Sequence, residues 1–521
     1  MMRKPLLLLT ALLTALSLDA QTTIVRDFRP VLDSMNTLIH ERTSVLPKLR
    51  LRSVARRGGQ LDFRFTESLG DVPWRKEDVQ WFRNTLESLF PEKYANCTVG
   101  QVYVKQLTLD RLVMPEVRSD GRPQDSPFRV QDRKGPVLVR EENGPVYEKG
   151  LSGRHIALWQ SHGRYYEQKT LRWEWQRAQL FMTVEDMYTQ SYVLPFLIPM
   201  LENAGAVVMT PRERDTQVRE YVADNDPAFP SPREGLMRRQ GGYTESGRWT
   251  DAGPGFADTK PAYTGTDNPF TFGTARQIRC DREGNAEARW SADFEERGFY
   301  AVYVSYKTLP ASTSEAHYTV HHLGGTTRLV VNQQMGGGTW IYLGTYEFDG
   351  EGVVSLSNRG AEGRIVTADA VRFGGGMGKI ARGPIDDPVS EWSVSGMPAY
   401  MEGALYSMQW AGVDAEILTN HPDDYTNDYA DRGPWVGLLS GGSRVNPKEE
   451  GKGIPFDLSF AFHSDAGVSP NDSTVGTLAI YTLMADGKQQ LPSGENRLSS
   501  RLYADYVQTQ VVRDVRAGFD P

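Results

Sequence analysis

Apolar and polar positions change period several times along this chain. In residues 151–215 an apolar run, Ile156 to Trp159, stands between the charged Arg154 and the polar Ser161-His162-Gly163, the pattern of a short buried strand. Thr183-Val184-Glu185-Asp186 predicts a helix start, with Thr183 as N-cap and Asp186 closing a capping box. Pro195 and Pro199 predict a kink or break in that helix, Gly205 ends it, and Ala206 to Thr210 reads as a second strand. Strand, helix and strand in this order predict a parallel pair with a right-handed crossover. Far downstream, Pro455-Phe456-Asp457 leads into LSFAF (458–462), a third apolar run of the same kind, with His463 directly after it.

The rest of the chain divides by pattern. Residues 21–150 predict a small N-terminal α/β domain and linker: LDFRFTE (61–67) alternates like a strand, KEDVQWFRNTLESLF (76–90) has helical spacing, and Val99 to Leu107 is strand-like. Residues 114–150 are rich in Pro, Gly and charge, as in a linker. Between 236 and 376, short strand-like runs such as GFYAVYVSYKT, TTRLVVNQ and TWIYLGTYEF recur between glycines and turn residues, which predicts an antiparallel β-sandwich. In 377–521, AYMEGALYSMQWAG predicts a helix ending at Gly412 and VDAEILT a strand, with His421 beyond it on the same edge as a candidate substrate-binding residue, a plain loop histidine being the favoured reading. Aspartates 423, 424 and 428 read as a solvated acidic loop, and SRLYADYVQTQVVRDVRAG as a closing helix. The fold class expected is therefore α/β: a mostly parallel core in two parts, 151–235 and 377–521, interrupted by an antiparallel β-sandwich.

Composition narrows the function classes. A formal net charge of -8 gives no support to nucleic-acid binding. Residues 1–20 carry Arg3 and Lys4, then LLLLTALLTALSL, then a small residue at Ala20, the order of a secretory signal, so the mature protein is expected to be exported to the periplasm, cell surface or medium. No later run reaches spanning length. Cys97 and Cys280 permit one disulfide and make no metal framework; buried free thiols are the plainer expectation. No phosphate-cradling glycine motif is present.

Candidate chemistry follows from topology. If the 156–159 and 458–462 strands are parallel in one sheet, His162 and His463 leave it at the same edge, where α/β proteins collect their sites. Glu185, in the first helical turn, is placed to face that edge. Two imidazoles and a carboxylate make a three-ligand set for zinc with a fourth position for water, and zinc-bound water is a hydrolytic nucleophile. Taken singly, a histidine after a strand is more often a loop residue, and a glutamate at a helix start a favourable charge beside the dipole.

SHG, the following Glu, LENAGAVVMTPRERD and FDLSFAFHSDAG together resemble the zinc-dependent N-acetylmuramoyl-L-alanine amidases. The resemblance implies His162, Glu185 and His463 as zinc ligands, Arg212 and Asp215 as structural residues, and cleavage of the amide between the lactyl group of N-acetylmuramic acid and L-alanine in peptidoglycan. That family also has a catalytic Glu on a strand near its C-terminus. After His463 this chain has only Glu495, in the polar loop LPSGENR, a poor match, so either the sequence is a fragment whose catalytic Glu lies beyond Pro521, which is the favoured expectation, or the general base is missing.

The runs YAVYVSY, GGGTWIYLGTYEF and ADAVRF resemble the golvesin C-terminal-like domain, a companion of xanthan lyase-type modules. This implies glycan contact, with Trp340 and Tyr342 as candidate stacking residues unless they alternate into the sandwich core. His317, His321 and His322 lie in a strand pattern, where neighbours face opposite sides, and read as non-metal. The expectation is an exported zinc hydrolase of cell-wall glycopeptide. The alternatives are a polysaccharide-active enzyme of xanthan lyase type and a non-catalytic glycan-binding protein on an amidase-like scaffold.

Overall fold

The computed structural model describes residues 23–43, 45–115, 130, 135–180, 182–227, 238–386, 388–464, 476–485 and 487–519. The signal-like residues 1–20, residues 116–129 and 131–134 of the 114–150 linker, and the residues after Ser464 in the FHSDAG run lie outside these. Two compact units emerge, one of residues 1–132 and 473–521, the other of residues 133–472.

In the first unit a four-stranded sheet runs in the order Leu51–Arg57, Gln60–Phe65, Thr98–Val104, Leu107–Thr108. Its middle pair is parallel, joined across the helix Lys76–Ser88. Phe63, Phe65, Trp74, Phe82 and Leu86 are buried between sheet and helices. The closing helix, Leu498–Phe519, belongs to this unit and not to the second part of the core as expected. The reason is polar as much as apolar. Buried Arg501 donates to the carbonyls of Gly70, Leu112 and Val72, and Arg75 forks onto both oxygens of Asp505 at 3.1 and 2.9 Å.

The second unit contains the expected sandwich-like pair of sheets, wider than its sequence boundaries. A nine-stranded sheet is built around the long antiparallel strands Glu287–Val304 and Ile341–Ser357, and a three-stranded sheet holds Thr250–Gly255, Gly273–Arg279 and Ile365–Ala368. Two strands from outside the expected 236–376 segment join the larger sheet. Glu220–Ala223 pairs with Val371–Phe373, and Val139–Glu141, expected in the N-terminal domain, pairs with Gly325–Val331. Cys280, here, and Cys97, in the first unit, are both free thiols.

The parallel sheet has three strands, with His155–Gln160 in the centre. Val207–Met209 lies parallel on one side and Leu458–Phe462 parallel on the other. Alternation along the central strand explains its burial on both faces. Ile156 and Leu158 pack with Val193, Ile198 and Val208, while Ala157 and Trp159 pack toward the sandwich core. Between the first two strands, residues 185–203 are helical, with a π-helical stretch at Val193–Leu197 around Pro195. A proline there removes a backbone donor, and the widened turn accommodates the loss. Gly205 ends the helix with φ 102°; a Cβ would lie 2.5 Å from Ser152 Oγ, so only glycine fits.

Three local expectations are corrected. Thr183 is not an N-cap: Thr183–Val184 pairs with Gln179–Leu180, and Val184 holds the cap position without a side-chain bond. VDAEILT contains a short helix, Ala415–Leu418, rather than a strand, in keeping with the good helix formers Ala415, Glu416 and Leu418. The aspartates beyond it are not a solvated loop. Asp423 caps the helix Asp424–Ala430, Asp424 pairs with Arg382, and fully buried Asp428 pairs with Arg432.

Candidate metal centre

Strand register assembles the site. Phe462 is the parallel partner of Gln160, and Ser161 N–H donates to Phe462 O at 2.8 Å, so the chains after both strands leave together. His162 and His463 follow, their rings edge to face with centroids 5.0 Å apart. Glu185, the first residue of the helical segment, is 3% exposed and points to the same edge, with Oε1 3.3 Å from His463 Nδ1 and accepting from Ser464 N–H at 3.1 Å. One ligand atom from each of His162, Glu185 and His463 lies within 4.8 Å of the others. Thus the three residues singled out from sequence meet at one point.

The electrostatics suit ligation. Burial, with Arg432 and Arg177 nearby, pushes His162 down to about 3, so its ring stays neutral and keeps one nitrogen electron pair as an acceptor. Burial alone would raise Glu185, but its bond to His463 and the other groups around it hold it well below the ordinary carboxylate range. The carboxylate is therefore an anion with oxygen lone pairs to offer. In and beside these segments, the buried atoms Gln160 Nε2 and Oε1, His162 Nδ1, Asp186 Oδ1 and Ser464 Oγ have no hydrogen-bond partner. Buried polar groups are ordinarily satisfied. Such a concentration at one strand edge, with a His-Glu-His donor set, fits a bound divalent ion and its water.

Two arginines frame the centre in different ways. Arg212, 1% exposed, donates to the carbonyls of Gln160, Tyr400 and Glu402 and so fixes the end of the central strand, the structural role expected for it. Asp215 is structural too, accepting from Ala301 and Gln217 backbone N–H. Arg177, which the sequence did not single out, enters the ligand set itself. Its Nε donates to Glu185 Oε2 at 3.1 Å and its Nη2 to His162 Nε2 at 3.0 Å. The only sequence signal for it was the basic and aromatic run between His162 and Glu185.

The remaining candidates lie elsewhere. His421 is exposed in a turn between two short helices, tied to Asn427 through its backbone, and not beyond a strand as expected. Trp340 is 6% exposed, donates to Trp410 O and packs on Phe256 and Phe270, so its ring is core and offers no face to a sugar. Tyr342 is half-buried with the Arg214 guanidinium 3.8 Å above its ring. His317 bonds with Arg359 beside Glu142, and His322 stacks on Tyr346. Glu495 lies in the first unit and accepts from Ser493.

Comparison with known proteins bears on the sandwich. Residues 239–375 match the family model of the golvesin C-terminal domain. A xanthan lyase of Bacillus sp. (strain GL1) is 32% identical over 138 residues, 25% of this chain and 13% of that protein. Among solved structures, a Paenibacillus xanthan lyase is 24% identical over 30% of this chain and 13% of its own, with a TM-score of 0.22. An exo-beta-1,3-galactanase from Phanerochaete chrysosporium is 13% identical over 25% of this chain and 27% of its own, with a TM-score of 0.17. The chain thus spans a small part of the relatives it matches. The inserted domain is golvesin-like, and the family match includes none of His162, Glu185 and His463.

Proposed function

We propose that this is a polysaccharide-related, exported protein in which the golvesin-like domain accompanies a metal-dependent hydrolytic centre formed by His162, Glu185 and His463. The observation that carries the hydrolytic part is the meeting of these three side chains at the carboxyl edge of a parallel sheet. A divalent ion held there supplies Lewis acidity and a water of lowered pKa. Neutral His162, anionic Glu185 and His463 are its ligands in this reading. Arg212 fixes the strand end before His162, and Ser464 N–H orients the Glu185 carboxylate. The finer reading, cleavage of the N-acetylmuramoyl-L-alanine amide of peptidoglycan, is supported by the resemblance of the SHG, Glu and FDLSFAFH segments to zinc amidases.

A second reading, a glycan-binding protein without turnover, is favoured by the domain match, which covers the sandwich and not the centre. Zinc content separates the two. One equivalent in the purified protein, lost in both His162→Ala and His463→Ala, supports the hydrolytic centre, and new amino termini released from peptidoglycan fragments then report amide cleavage. Zinc that is absent, or indifferent to both substitutions, removes the hydrolytic reading and leaves glycan binding.

A further inference from the structure

The segment after the Arg172–Trp175 strand brings a permanent positive charge into the ligand set. A guanidinium has donors only, so in the contact between Arg177 Nη2 and His162 Nε2 the imidazole nitrogen accepts. The same side chain engages Glu185 Oε2 through Nε and reaches Tyr425 Oη through Nη1 at 3.3 Å. One cation thus occupies an imidazole electron pair and a carboxylate oxygen, the two kinds of donor a divalent ion requires.

Burial is lopsided across this contact. Glu185 is 3% exposed at its side chain and Arg177 33%, so the arginine reaches the centre from the solvent side. Its backbone is fastened: Arg177 N–H donates to Asp186 Oδ2 at 3.3 Å, and neighbouring Gln176 Nε2 donates to Asp428 Oδ2 at 2.8 Å. Once its bonds to Glu185, His162 and Tyr425 break, the side chain is the part that can turn outward.

We propose that Arg177 is the resident counter-cation of this centre: it holds His162 and Glu185 in place in the metal-free protein and is displaced by the incoming ion. The proposal rests on the metal-centre reading above. Metal loading and Arg177 release are then one exchange, and the arginine lowers the apparent affinity of the ion by the strength of the contacts that must be broken. A plain structural ion pair would act in the opposite sense, supporting the ligands and strengthening metal binding.

The test is zinc titration by chelator competition on the chelator-stripped full chain, comparing wild type, Arg177→Gln and Arg177→Lys. Charge-assisted bonds are about twice as strong as neutral ones, so Kd is expected to fall about tenfold or more in Arg177→Gln. Arg177→Lys, which keeps the charge and loses the fork, is expected to fall less. The melting temperature of metal-free Arg177→Gln should drop below wild type, and zinc should restore it to the wild-type loaded value. Zinc bound by wild type with equal or weaker affinity in both variants overturns this proposal and leaves the metal centre standing. No zinc bound by any of the three overturns both.

Discussion

Gln160 and Phe462 are register partners in adjacent parallel strands, and this one pairing brings His162 and His463 ring to ring at 5.0 Å. A slip of one residue would send every side chain of the edge strand to the opposite face and separate the histidines. The centre therefore depends on whatever holds that register.

Arg212 fixes the end of the strand that carries His162. Its guanidinium ties the Gln160 carbonyl to those of Tyr400 and Glu402 from a buried position. Arg212→Met is expected to weaken zinc binding about tenfold, in the range typical of groups that orient metal ligands. A zinc titration of the folded fraction checks this; unchanged affinity would show that the strand end holds without it.

Glu402 gives the second unit a pH signature. Burial pushes its carboxyl up to about 7, although Ser395, Lys379 and Arg382 pull the other way. A folded value above the unfolded one means the native state keeps the proton longer. Stability from this group is full below about 4.5 and is lost as pH rises through about 7, by up to roughly 3 kcal/mol. Urea unfolding from pH 4.5 to 8 should show this decline, and Glu402→Gln should flatten it.

Arg501 anchors the closing helix to the first unit. Arg501→Ala would leave the carbonyls of Gly70, Val72 and Leu112 without their donor, a loss of about 3 kcal/mol or more. Thermal unfolding should show the drop. A chain ending before Leu498 should lose the same transition, because the helix is part of that unit's fold.

Trp340 separates core from binding surface. Truncation to alanine is expected to destabilise the sandwich by about 3–5 kcal/mol through the cavity left beside Phe256 and Phe270. At temperatures where the variant stays folded, glycan affinity should match wild type; a specific loss of binding would mean the ring does meet sugar.

The histidine pair was legible because each residue follows an apolar run of strand length, and parallel strands carry their sites at one edge. Glu185 was legible from its place at a helix start, although the cap that should have marked that start is missing. Arg177 was hidden: it sits in a loop, and no periodicity says where a loop side chain turns. The partner of the Leu498–Phe519 helix was hidden for another reason. Its attachment runs through Arg501 and Asp505 onto backbone carbonyls and Arg75, and such polar contacts leave no pattern in hydrophobicity. The stray strand Val139–Glu141 is three residues long, too short for alternation to declare itself.

The two halves of the centre are also separated in time. Counting along the chain, His463 follows Glu185 by 278 positions, with the golvesin-like domain between them. At roughly 5–20 residues per second of synthesis, the first two of the three proposed ligands exist for something like a quarter of a minute to a minute before the third is made. Throughout that interval the nascent chain holds only an incomplete donor set, so the centre comes into being late, after the intervening domain has had the opportunity to fold.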